Sequence, residues 1–452
     1  MRSVSTLLVR NIHTLVTMDN ARRELRDAAI YVRDNVIVAV GDLASMPTPH
    51  ADTEIDARAH VVIPGLVNTH HHLFQSLTRA MAQDSELFGW LRALYPVWSR
   101  LDGESAYVSA KLGMAELMLS GCTTTSDHLY LYPNDVRLDD TIRAGAEIGI
   151  RFHATRGAMS VGESAGGLPP DALVEREDAI LADTRRVIES FHDARRYAMI
   201  RIAVAPCSPF SVSPALMREC AALARSYGVG LHTHLAESAR DVAFSVETFG
   251  LRPGAFAESL GWTGADVWHA HCVKLDDAEI DLFATTRTGV CHCPASNLRL
   301  GSGRAPVARM RSAGVRVGLG VDGCASNDSG HLLGEARLAW LLARIEGDVA
   351  ALSARAALEL ATLGGAALLD RDDIGAIAPG MAADLVGFRL DTAAFAGARH
   401  DPAAALVMCA PGSADFSVID GRVRIADGQL LHTEMPALIE SHHRHSRRLM
   451  AG

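Results

Sequence analysis

The sequence predicts an α/β fold: a (β/α)8 TIM-type barrel with a small β-sandwich domain formed from both chain termini. Three observations predict it. Both ends of the chain read as β-strand, whereas the middle does not. The middle alternates eight short apolar runs with helical patterns or long loops. Five of those runs end in His or Asp, at the end of the strand where such barrels place their chemistry.

Taken in order, residues 1–62 are expected to form the N-terminal part of the sandwich. "LLVRNIHTLVTMD" and "DAAIYVRDNVIVAVG" are rich in β-branched residues, and the second holds the turn-like Asp34-Asn35. Residues 63–374 are expected to form the barrel. Its apolar runs lie near 61–68, 122–127, 149–154, 199–205, 228–234, 266–272, 289–293 and 315–322. Helical patterns such as "ESAYVSAKLGMAELMLSG", "LVEREDAILADTRRVIESFH" and "HLLGEARLAWLLARIEG" separate them. Residues 375–452 are expected to complete the sandwich and end in a helix. "ADLVGFRLD" and "DFSVIDGRVRIADG" read as strands, and Asp420-Gly421 is a hairpin signal.

Composition narrows the function. The chain has 452 residues, 48% hydrophobic and 21% charged, a normal soluble balance. A formal net charge of −10 disfavours nucleic acid as a partner, because that role favours basic patches. No apolar run reaches the ~18–20 residues needed to span a bilayer, so no membrane role is expected. The N-terminus alternates apolar and polar residues like a strand, not a signal segment, so a cytoplasmic protein is expected. Eight scattered cysteines without a C-x-x-C pair suggest reduced core thiols. Cys291 and Cys293 read as small buried strand residues in preference to metal ligands.

The strand ends carry the chemistry. The first is followed by "NTHHHLFQ", residues 68–75. Side chains alternate along an extended chain, so His70 and His72 share a face and His71 takes the other. An H-x-H pair can converge on one ion; His70 and His72 are therefore the expected ligands and His71 a structural residue. The same parity pairs His232 with His234 and His269 with His271. His234 and His271, nearer the strand ends, are the better site residues. His232 and His269 are expected one layer deeper. Asp127-His128 and Asp322 end two further strands. Imidazole and carboxylate donors suit zinc first and iron second.

"PGLVNTHHH", "HTHLAES", "AHCV", "CPASN" and "GVDGCASND" together resemble the amidohydrolase superfamily, in the branch with guanine deaminases, cytosine deaminases and triazine hydrolases. The resemblance covers essentially the whole chain, including "GAIAPGMAADLVGF" where the chain leaves the barrel. It implies one divalent metal ion on His70, His72, His234 and Asp322. It also implies Glu237 as proton shuttle, and His271 as hydrogen-bond partner of the attacking water and the nascent tetrahedral carbon. Asp322 would also orient that water. The strand-four end, "IAVAPCSP", lacks the lysine that two-metal members use, which argues for a single ion.

Gln75 completes H-x-H-x-x-Q, and its amide can read the edge of a planar heterocycle. Trp90, in "LFGWLRALYPVW", would lie in a loop that covers the pocket and could stack on a ring. His128, Arg156 and Asn297 are further candidates for polar contacts with substrate. The pocket loops resemble the 8-oxoguanine deaminase group. That implies removal of the 2-amino group to give urate, with His128 as first choice to read the 8-oxo edge. Other readings are a deaminase or dehalogenase of guanine, a pterin, a pyrimidine or an s-triazine, and a non-catalytic assembly protein. Glu237 weighs against chloride departure, which needs no proton. The complete ligand set weighs against an assembly role. A small heterocycle and water are the expected partners. Relatives in this branch are often dimeric, so a homo-oligomer is expected.

Overall fold

The computed structural model describes residues 4–409 and 412–451. Eight parallel strands form one sheet in sequential order. They are β1 (Leu66–Asn68), β2 (Cys122–Leu129), β3 (Arg151–Ala158), β4 (Ile200–Pro206), β5 (Leu231–Leu235), β6 (Val267–His271), β7 (Gly289–His292) and β8 (Arg316–Leu319). The sheet closes on itself after β8. Thr69 N donates to Leu319 O at 3.0 Å, and Asp322 N donates to His70 O at 3.2 Å. The predicted helices are Gly103–Leu119, Glu177–Phe191 and Leu332–Leu342. The first starts at Asp102, whose carboxylate accepts from Ser105 N in a capping box.

The two chain ends form two further sheets. One orders Val36–Asp42, Ala28–Arg33, Thr6–Ile12 and Thr53–Asp56. The other interleaves both ends, pairing His60–Pro64 with Leu385–Arg389 antiparallel and with Thr14–Val16 in parallel. Leu7, Ile30 and Val32 of one sheet share a buried core with Val62, Leu385 and Val418 of the other.

The run near 61–68 proves to be two strands. His60–Pro64 belongs to the terminal sheet, and the barrel starts only at Leu66. Pro64 lacks a ladder donor, and Gly65 crosses so close to β2 that a Cβ there would meet Thr123 Oγ1 at 2.0 Å. The C-terminal helix Met435–Ala451 packs on the barrel, against Gly103–Leu119 and the turn Leu73–Thr78. There His442 is buried and its Nε2 lies 3.0 Å from Ser76 Oγ. Among the described residues no helix is long and apolar enough to cross a membrane.

One ion pair joins barrel and terminal sheets. Arg151, at the start of β3, donates to both oxygens of Asp384 at 2.8 and 3.0 Å, and to Tyr197 O and Ala198 O. The two side chains are 0% and 2% exposed. Removing one partner from a buried pair leaves an uncompensated charge. Asp384→Ala should therefore cost about 3–5 kcal/mol, read as a lower midpoint in denaturant unfolding. A loss under about 1 kcal/mol would show that this pair does not hold the junction.

Candidate metal centre

Backbone and side-chain hydrogen bonds fix the "NTHHH" segment between its neighbours. Asn68 donates to Thr125 Oγ1 at 3.0 Å and accepts from Val321 N at 2.9 Å. Asp127 Oδ1 accepts from Leu73 N at 2.9 Å. His70 and His72 then face the barrel axis, while His71 turns away, its Nε2 4.0 Å from Cys324 Sγ. His232 and His234 of β5 also face inward.

Strand β6 departs from simple alternation. Trp268 faces in and stacks on His232 at 4.7 Å. His269, expected on the inner face, instead points at the surrounding helices: its Nε2 donates to Trp262 O at 3.0 Å and its ring lies 5.3 Å from Phe283. His271 comes inward only because its backbone adopts φ +71°. Asp322, past the end of β8, has φ +62°. Left-handed backbone at two non-glycine site residues is strain that the surrounding barrel must hold.

The ligand geometry is a convergence of acceptors. His72 Nδ1 donates to His128 O at 2.7 Å and His234 Nδ1 donates to Cys207 O at 2.6 Å. His232 Nδ1 donates to Trp268 O at 2.8 Å, which leaves His232 Nε2 to accept from His70 Nδ1 at 2.8 Å. All three site imidazoles thus direct an Nε2 lone pair to one point. His72 and His234 Nε2 lie 3.0 Å apart, and Asp322 Oδ1 lies 3.3 Å from Nε2 of both His70 and His72. Ligand atoms of a tetrahedral zinc, bound at about 2.0–2.1 Å, stand about 3.3–3.4 Å apart, so the set fits such an ion. Burial holds His70, His72 and His234 below their ordinary pKa, hence neutral. Burial opposes the charge on Asp322, yet its carboxyl is held well below the usual range, with His271 Nε2 3.8 Å from Oδ2. Neutral imidazoles and an ionised carboxylate are the forms that bind metal.

Beside this set stand a carboxyl and an imidazole. Glu237 Oε2 lies 3.5 Å from His271 Nε2, and His271 Nδ1 donates to Asn297 Oδ1 at 2.9 Å. Burial pushes the Glu237 carboxyl up to about 7 against the pull of His271. Asp322 Oδ2 accepts from Ser296 Oγ at 2.5 Å and Ser326 Oγ at 3.2 Å.

A pocket opens onto these groups. Gln75 and Trp90 line it, as do Glu237, His271 and Asp322. Trp90 lies in the helix Leu87–Trp98 and donates Nε1 to Ala325 O at 2.9 Å. Three expected substrate contacts are placed elsewhere. His128 lies beneath the ligands, stacked on His234 at 4.8 Å with Nε2 donating to Ala205 O. Arg156 is consumed by Glu175, Asp183 and Gly157 O and stacks on Tyr132. Asn297 holds His271 and does not line the pocket. Sequence reasoning missed Tyr95, Tyr130, Cys207, Phe210 and Ser326, all on the pocket wall. Two had a signal. Tyr130 follows His128 by two residues, and Tyr95 continues the stripe of Leu87, Leu91, Leu94 and Trp98.

Residues 61–430 match the model of the amidohydrolase family. Over 432 residues the chain is 44% identical to the 8-oxoguanine deaminase of Pseudomonas aeruginosa, covering 94% of this chain and 96% of that protein. It is 39% identical to the hydroxydechloroatrazine ethylaminohydrolase of Pseudomonas sp. (strain ADP), covering 94% and 92%. The crystal structure of an atrazine chlorohydrolase from Arthrobacter aurescens TC1, complexed with zinc, superposes with a TM-score of 0.93 at 34% identity, covering 97% of this chain and 100% of that one. The chain belongs to the amidohydrolase family.

Purified protein should hold one metal ion per chain by elemental analysis. His72→Ala should lose it and His71→Ala should keep it. His232→Phe, which removes the acceptor that aims His70, should weaken metal affinity by about 10–100-fold in chelator competition. Two ions per chain, or metal loss in His71→Ala, would contradict this ligand set.

Proposed function

We propose that this member of the amidohydrolase family is a metal-dependent deaminase that converts 8-oxoguanine and water to urate and ammonia. One observation carries the deaminase reading: Glu237, buried and pushed up to about 7, stands 3.5 Å from His271 beside the ligand set. A carboxyl that titrates near neutral pH can take a proton and give it back in one turnover. The 44% identity to an 8-oxoguanine deaminase over nearly all of both chains supports the narrower substrate. So does the pocket wall, whose Leu87, Trp90, Leu91 and Phe210 offer apolar surface to a planar ring.

Zinc bound by His70, His72, His234 and Asp322 would lower the pKa of water from 15.7 towards ~7, supplying hydroxide at neutral pH. The remaining steps belong to the protein. Asp322 Oδ2, held by Ser296 and Ser326, accepts a hydrogen bond from the attacking water and orients it. Glu237 takes a proton from that water and delivers it to a ring nitrogen next to C2, so that C2 can become tetrahedral. His271, fixed by Asn297, faces the new oxygen with Nε2. The second proton reaches the 2-amino group, the C2–N bond breaks and ammonia leaves. Ser302 Oγ, 3.3 Å from Glu237 Oε1, steadies the shuttle between its two protonation states.

Glu237→Gln keeps volume and one acceptor but cannot shuttle a proton. It should retain metal and fold and lose at least ~10²-fold in kcat. Activity within a few-fold of the parent would remove Glu237 from the mechanism. Across aminopurines, aminopyrimidines, pterins and triazines assayed for ammonia release, 8-oxoguanine should give the highest kcat/KM. Equal or better turnover of guanine would defeat the narrow assignment and leave the deaminase reading in place.

A further inference from the structure

Most polar groups on the pocket wall are already committed. His72, His234 and Asp322 belong to the ligand set, and Glu237 and His271 to proton transfer. Ser326 Oγ is spent on Asp322 and Gly323 O, and Trp90 Nε1 on Ala325 O. Leu87, Leu91, Phe210 and Leu300 are apolar. Apart from the Cys207 thiol, a weak donor, three groups keep unspent capacity. Gln75 Oε1 is buried with no partner. Tyr130 Oη receives only a long 3.5 Å contact from Gln75 Nε2, so its own proton is free. Tyr95 Oη donates only to Met159 Sδ at 3.8 Å, and a thioether is a weak acceptor.

These three groups come from three different parts of the chain. Tyr130 is packed against the ligands, with its ring 5.0 Å from His72 and 6.3 Å from His234. Gln75 and Tyr130 therefore offer an acceptor and a donor beside the metal. That suits the N1–H and C6=O edge next to the carbon that loses its amine. Tyr95 comes from the covering helix Leu87–Trp98, its ring edge-on to Trp98 at 6.1 Å. It is 1% exposed, so an unmet hydroxyl there costs free energy that a bound acceptor would recover.

We propose that Tyr95 is a specificity-determining residue that donates its phenol proton to a carbonyl on the ring remote from the reacting carbon. For a purine that carbonyl is the 8-oxo group, which guanine lacks. The inference rests on the deaminase reading and names the group that selects the substrate. Guanine in the same pose leaves the Tyr95 hydroxyl without a strong acceptor, and mismatches of this kind discriminate strongly.

The test measures kcat/KM of wild type, Tyr95→Phe and Tyr130→Phe on 8-oxoguanine and guanine. Metal content is the control for folding. Tyr95→Phe keeps the ring against Trp98 and loses only the hydroxyl. It should lower kcat/KM for 8-oxoguanine by about 10–100-fold and leave guanine within about two-fold, so the ratio between the substrates collapses. Tyr130→Phe should lower both substrates alike. If Tyr95→Phe lowers both alike or neither, while wild type still prefers 8-oxoguanine, the assignment of Tyr95 is overturned and the substrate reading stands. If wild type prefers a pteridine, the substrate reading falls. The same ratio, taken between 7-oxopterin and pterin, then decides Tyr95 separately: a collapse in Tyr95→Phe supports it and an unchanged ratio overturns it.

Discussion

Three neutral imidazoles that point lone pairs at one another are the constraint on which this molecule is organised. Two Nε2 atoms 3.0 Å apart, each with its proton already on the far nitrogen, repel unless a cation lies between them. A carboxylate at 3.3 Å from two of the three supplies negative charge on the same point. No neutral tautomer of these histidines relieves the clash without breaking a hydrogen bond to His128 O, Cys207 O or His232. The polar barrel interior is therefore not a cost tolerated by the fold. His232, Trp268 O and the carbonyls at the ends of β2 and β4 are the second layer that fixes each imidazole's tautomer.

The same layering separates two tasks on the pocket wall. One flank holds Glu237, His271 and Asp322, each with a partner that sets its orientation: Ser302, Asn297, and the pair Ser296 and Ser326. The roof is apolar and comes largely from the helix Leu87–Trp98. Water excluded by that roof strengthens every charge interaction beneath it, and the raised carboxyl of Glu237 is one consequence. Burial thus raises an ordinary glutamate into the neutral range.

Much of this was legible in the sequence because two periodicities are local. The eight barrel strands showed as apolar runs, and alternation along "NTHHH" separated His70 and His72 from His71. The terminal sheets showed because both chain ends carry β-branched runs and hairpin signals. Alternation failed where the backbone leaves the extended region. His269 was expected inside and faces out, and His271 is carried in by a left-handed φ that no residue type announces. The split between His60–Pro64 and Leu66–Asn68 needed the partner strand to be known. His128 and Arg156 misled for another reason. Their types suit substrate contact, but long-range neighbours, Ala205 O for one and Glu175 with Asp183 for the other, consume their donors. Spacing in sequence reports a side chain's direction, and it does not report who already holds it.

Strain and stability occupy opposite ends of the barrel. At the C-terminal ends of the strands, His271 and Asp322 sit in left-handed backbone, and acceptors crowd together. At the N-terminal end, Arg151 is saturated by Asp384 and two carbonyls, with 0% exposure. Asp384 also accepts from Asp420 N at 2.8 Å, so one carboxylate ties a barrel strand to two strands of the terminal sheet. A site held in an unfavourable arrangement needs a rigid frame, because any slack would let the imidazoles drift apart. The terminal sheets contribute no residue to the pocket wall, yet through Asp384 they hold the start of β3.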